Sequence, residues 1–173
     1  MSPITLVVCG VIALPVGWFS GILVDRVPDR LPLFRPLPGI RVHGQYLALH
    51  LVILALFVAV PFRMPKGTSA LELAGYLVLS AMLVTVSAID IALYRLPDRI
   101  VLPTLAVSVA IVVISSLIDG QPERIRFALA GAGLYFGFLF LAHLVHPRGM
   151  GFGDVKLAAV MGLYVGWIGG NYV

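Results

Sequence analysis

Six long apolar runs, at residues 4–24, 46–62, 71–89, 100–118, 127–145 and 155–173, follow one another along the chain, separated by short polar or Pro/Gly-rich breaks. Within each run the apolar residues are continuous and do not alternate with polar ones, which excludes membrane β-strands. A bilayer core of about 30 Å needs roughly 20 apolar residues at about 1.5 Å of rise each. Five runs meet that length directly; the second is shorter and bounded by Pro61. The pattern predicts an all-α, polytopic transmembrane helix bundle of about six spans. The connectors are brief, so residues 1–173 are expected to form one integral-membrane domain. The first run has no basic residues before it and no small-x-small cleavage pattern before Asp25, so it is expected to be a retained helix and not a secretory signal.

Composition strengthens this reading. Of 173 residues, 60% are hydrophobic and 12% charged, against about 25% charged in a soluble domain. Too little polar surface remains for a water-soluble enzyme, a disordered chain or a nucleic-acid binder. The net charge of +4 does not point to nucleic acid, because the basic residues are scattered through the connectors. There they report orientation. With the N-terminus outside, the inward connectors hold Arg26, Arg30, Arg35, Arg41, Arg95, Arg99, Arg148 and Lys156. The outward ones hold only Arg63, Lys66, Arg124 and Arg126. The single cysteine, Cys9, excludes a disulfide framework and a multi-cysteine zinc site.

The acids other than Asp98, which follows Pro97 in a connector, divide by setting. Asp119 and Glu123 lie in the outward loop Asp119-Gly120-Gln121-Pro122-Glu123, where solvation accounts for them, and Glu72 opens the third helix, where an acid suits the helix dipole. Asp25 and Asp29 sit among arginines. Asp90, flanked by Ile89 and Ile91, and Asp154, after Gly149-Met150-Gly151-Phe152-Gly153, end or begin apolar spans on the inward side. Acids at membrane depth are costly and are functional candidates by default; the competing readings are an interfacial Asp90 and a helix-capping Asp154.

Three segments carry a resemblance. Gly151-Phe152-Gly153-Asp154 has the G-x-G-D form of intramembrane aspartyl proteases. Asp90, followed after six residues by Pro97-Asp98, matches the other half of the pattern. Gly17-Trp18-Phe19-Ser20-Gly21-Ile22-Leu23-Val24-Asp25-Arg26-Val27-Pro28 is similar to an opening segment of the form G-S-F-x-N-V-x-x-x-R-L-P. Together they resemble the type IV prepilin peptidase (leader peptidase) family, in family order and over nearly the whole chain. The chain departs from that family in carrying Gly21 where Asn is usual and in a short cytoplasmic loop, 25–45, without the two C-x-x-C pairs that hold zinc in many members. Family members typically continue with further apolar sequence, so a truncated C-terminus is an expectation as well.

The resemblance implies a peptidase of the bacterial cytoplasmic (inner) membrane that removes the short leader of type IV prepilin or pseudopilin precursors at the cytoplasmic face. Asp90 and Asp154 are then the catalytic pair. Chemistry argues independently for two carboxyls. Peptide hydrolysis needs a base for water and an acid for the departing amine, and two close carboxyls sharing a proton supply both. Around them Gly151, Gly153, Lys156, Pro97 and Asp98 are expected to shape the site. Gly149, Gly151 and Gly153 allow φ > 0 and close backbone approach. Lys156 either snorkels to headgroups or offsets charge at the dyad, and Asp98 is a rival to Asp90 or the N-cap of the helix from Ile100. Proteolysis needs no metal or other cofactor. S-adenosylmethionine enters only if the family's N-methylation of the product is retained, and Gly21 and the loop without cysteines count against it.

Gly17-x3-Gly21 and Gly133-x3-Gly137 read as helix-packing positions, His50 as a packed residue, and His143 and His146 as interfacial. A lipoprotein signal peptidase would carry asparagines beside its aspartates, and the only Asn is Asn171; a rhomboid protease needs Gly-x-Ser-Gly, which does not occur. The alternatives outside proteolysis are a proton-coupled transporter using the same acids and a non-catalytic membrane subunit.

Overall fold

The computed structural model describes residues 3–26, 44–64, 67–93, 96–147 and 150–169. Among them are six helices and no strand: α1 (Pro3–Arg26), α2 (Gly44–Arg63), α3 (Ala70–Leu93), α4 (Asp98–Ile118), α5 (Glu123–Val145) and α6 (Phe152–Gly169). Five are long and apolar enough to cross a membrane, and α2 carries a shorter apolar stretch, Leu47–Arg63. The chain is a polytopic all-helical membrane protein, as its apolar runs predict. Most of loop 25–45, Gly149 and the last four residues lie outside the described residues.

The helices run past the apolar runs into their polar flanks, because backbone groups near a bilayer are satisfied most cheaply within a helix. Asp90 therefore lies inside the last turn of α3, and Asp154 is the third residue of α6, not its cap. Pro15 and Pro103 sit inside α1 and α4. Such prolines are tolerated in membrane helices, where neighbouring groups satisfy the freed carbonyls.

Described residues group into two compact units, one of residues 1–68 and 76–94, the other of 69–75 and 95–173. In the first, α1 packs on α2. The buried face of α1 is made of small residues, Cys9, Ala13, Gly17, Ser20 and Gly21, whereas α2 buries Leu49, Ile53 and Phe57 at four-residue intervals. Gly17 does the packing expected of it: a β-carbon there would come within 2.8 Å of the His50 imidazole.

In the second unit α6 is the central element, burying Val155, Ala158, Ala159, Val160, Gly162, Leu163, Tyr164 and Trp167. It packs most intimately on α5, where Gly131, Gly162 and Gly166 bring the two backbones so close that no β-carbon fits at any of them. Gly133 and Gly137, the expected packing pair, face open space instead. Spacing shows that α5 can offer a small-residue stripe. At about 100° of turn per residue, however, position 131 lies roughly 140° round the helix from the middle of that pair, and α6 takes the side of 131. The Tyr164 phenol bonds the Gly75 carbonyl (2.9 Å) and the Ser108 hydroxyl (3.0 Å), and the Trp167 indole N–H donates to Ser116 Oγ (3.2 Å).

The turn from α4 to α5 closes on Gly120 at φ +69°. The Gly120 and Gln121 N–H groups donate to the Leu117 and Ser116 carbonyls, a Schellman ending that satisfies the last carbonyls of α4. Beside it Arg124 is buried and pairs with Glu72 at 2.7 Å and with Asp119 at 3.8 Å, its guanidinium 4.8 Å from the centre of the Trp167 ring. Solvation and the helix dipole therefore do not account for Asp119 and Glu72. They hold a buried cation that ties the start of α3 to α5.

Candidate active site

The Pro97-Asp98 end of one resemblance segment meets the Gly151-Phe152-Gly153-Asp154 segment at one end of the second unit. Leu96 and Pro97 lead into α4, and Gly151 leads into α6. A β-carbon on Gly153 would lie 2.6 Å from Leu96 Cβ and 3.2 Å from the Leu96 carbonyl oxygen, so glycine at 153 is required by this contact within the chain. Neither Gly151 nor Gly153 has positive φ. Their expected left-handed freedom is unused, and close approach is the operative property.

Asp154 is half-buried, in the first turn of α6. Its N–H donates to the Gly151 carbonyl at 3.1 Å, and its Oδ2 lies 3.4 Å from where a β-carbon on Gly151 would be. The carboxylate thus folds back over Gly151 at a helix N-terminus, where the dipole favours an anion.

Lys156, on the next turn, donates to Asp98 Oδ1 at 2.8 Å and lies 5.0 Å from the centre of the Phe152 ring. Among the described contacts its charge is directed to Asp98. Asp98 itself is the first residue of α4, and Pro97 occupies the capping position with no side-chain cap bond. Asp98 therefore does not serve as the expected N-cap; the preceding proline, already extended at φ −79°, ψ 121°, takes that place.

Asp90 belongs to the first unit. It is exposed, between buried Ile89 and exposed Ile91, in the C-terminal turn of α3. A helix C-terminus disfavours a carboxylate, so no capping role accounts for it.

Sequence reasoning missed the packing around Phe152. His143 lies 5.6 Å from it ring to ring, Phe140 meets it edge-on at 6.3 Å, and Phe136 stacks on Phe140 at 5.7 Å. The spacing 136, 140, 143 on one face of a helix was the available signal. No group of three or more His, Cys, Asp or Glu side chains is placed to hold a metal among the described residues.

A model of the type IV leader peptidase family matches residues 77–171, a stretch that includes both Asp90 and Asp154. The chain belongs to the type IV leader peptidase family. It is similar to prepilin leader peptidase/N-methyltransferases: 35% identical to that of Bacillus subtilis (strain 168) over 74% of this chain and 48% of the relative. Identity is 36% to that of Escherichia coli (strain K12), over 48% of this chain and 37% of the relative. It is 28% to that of Klebsiella pneumoniae, over 75% and 55%. This leader peptidase homologue thus spans about half the length of the curated relatives it matches. No solved structure matches the chain.

Proposed function

We propose that the chain is a membrane aspartyl endopeptidase that cleaves the short leader from type IV prepilin-like precursors, with Asp90 and Asp154 as the catalytic pair. The observation that carries this reading is the G-x-G-D turn seated on the Leu96-Pro97-Asp98 connector. It joins the Pro97-Asp98 end of one segment of the family pattern to the G-x-G-D segment within one unit. The family match and the relatives' names support the substrate class.

In the proposed mechanism one carboxylate takes a proton from water as the oxygen attacks the scissile carbonyl carbon. The other, protonated, gives its proton to the departing amine as the C–N bond breaks. The pair thus divides the roles of base and acid between two carboxyl groups. Gly151, Gly153 and Pro97 set the path of the backbone, and the Lys156–Asp98 pair holds it in place.

The site works at the cytoplasmic face of a bacterial inner membrane, with the N-terminus outside. The orientation rests on the basic connectors, and it gains from Arg124 being a buried structural residue and not a free outward charge. Proteolysis uses no cofactor; S-adenosylmethionine is a ligand only if the methyltransferase activity named in the relatives is shared.

The test is cleavage of a purified tagged prepilin by the full chain in detergent, read by the size of the product and by its N-terminal sequence. Leader removal immediately before the apolar helix of the substrate is the expected result. No cleavage by well-folded protein sinks the proposal.

A further inference from the structure

We propose that His143 is a positioning residue of the hydrolytic site, holding the glycine-rich turn that delivers Asp154. This rests on the aspartyl-peptidase reading and names a part of the site that the family pattern does not contain.

Glycines on both sides of Phe152 make the segment entering α6 intrinsically loose. Hydrolysis needs the Asp154 carboxylate held closely in place, since a misplacement of about 1 Å can cost roughly 10²-fold in rate. Something outside the turn must supply that order. After the turn, Gly153 rests on Leu96 and Lys156 reaches Asp98. Before it, the order comes from α5: His143 Nδ1 lies 2.8 Å from the Met150 carbonyl oxygen. A carbonyl only accepts, so Nδ1 carries the hydrogen in this bond.

The imidazole also lies against Phe152, with ring centres 5.6 Å apart and the planes tilted by 55°. One side chain therefore grips residues on both sides of Gly151, and the Asp154 carboxylate folds over that glycine. Phe140 and Phe136 back Phe152 from the same helix. The helix continues only two residues beyond His143, and the next histidine, His146, is exposed. The half-buried His143 is thus the one set against the turn.

Two contacts, a donated hydrogen bond and a ring face, can be removed separately. Asn at 143 places an amide N–H close to where Nδ1–H stands but lacks the ring; Phe keeps a ring and lacks the donor. In the full chain in detergent, with a tagged prepilin as substrate, His143→Phe should lower kcat roughly 10- to 100-fold with KM little changed. His143→Asn should recover most of the rate, and both variants should unfold at similar temperatures. If His143→Phe does not fold, His143→Leu serves as the variant without a donor.

Wild-type rates in His143→Phe, a His143→Asn variant no faster than it, or a change confined to KM would each overturn the positioning role. Those outcomes leave the peptidase reading standing. Full activity in Asp154→Asn overturns the peptidase reading and the positioning role with it.

Discussion

The Lys156 ammonium lies 2.8 Å from the Asp98 carboxylate, linking the first residue of α4 to the second turn of α6. The side chains are 21% and 55% exposed, and a solvated pair of this kind is worth about 0.2–1 kcal/mol. Its consequence is positional. Asp98→Asn keeps an oxygen that accepts from the ammonium, so activity should largely survive. Asp98→Ala frees Lys156 and should slow cleavage without moving the unfolding midpoint by more than a few degrees. A double-mutant cycle with Lys156→Ala, read by cleavage rate, should show the two substitutions to be coupled; strict additivity would remove the pair from the site.

Asp90→Asn and Asp154→Asn each keep size and most hydrogen bonding, so folding should persist. Each should lower the cleavage rate by about 10²–10⁴ or more, the worth of general acid–base help. The double variant should be hardly slower than either single one, because residues that act as a unit are not additive. If Asp98→Asn is inactive while Asp90→Asn still cuts, Asp98 takes the place of Asp90.

Gly153→Ala places a β-carbon against Leu96. The α6 entry or the connector must shift, and activity should fall well below the fraction of folded protein. Leu96→Ala in the same chain removes part of the colliding side chain and should restore some of the rate. Gly133→Ala, open on all sides, is the control: its rate and its unfolding temperature should match wild type.

Arg124 and Glu72 form a buried pair at the other end of the second unit. Removing one partner of such a pair costs about 3–5 kcal/mol, because the other charge is left buried. Arg124→Ala should therefore lower the thermal midpoint in detergent strongly while rate per folded molecule stays near wild type. Arg124→Met with Glu72→Leu should regain most of the stability. A selective loss of rate in well-folded Arg124→Ala would instead tie this cluster to catalysis.

Orientation is open to direct labelling. Cysteines introduced singly at Leu93 and Met150, in a chain whose buried Cys9 is replaced, should react with impermeant reagent only from the cytoplasmic side. Reaction from outside would invert the topology.

The apolar runs by themselves determined that the chain is an all-helical membrane protein, because in a hydrocarbon layer continuous apolar sequence leaves the backbone almost no other structure to adopt. The resemblance of the local motifs led Gly151, Gly153, Asp154, Pro97 and Asp98 to be expected at one site, because each motif is short enough to be read from a few adjacent residues. The partners of those residues are a tertiary matter. That Gly153 meets Leu96, that Lys156 meets Asp98, and that His143 meets Met150 depends on how α4, α5 and α6 rotate about their axes, and the spacing along one helix does not record what the next presents. The same reason explains why Gly131, and not the Gly133-x3-Gly137 pair, carries the contact of α5 with α6. It also explains Glu72 and Arg124, 52 residues apart. The Glu72 N–H donates to Ser69 Oγ at 3.2 Å, a local contact at the start of α3, but only packing brought a buried arginine to the Glu72 carboxylate.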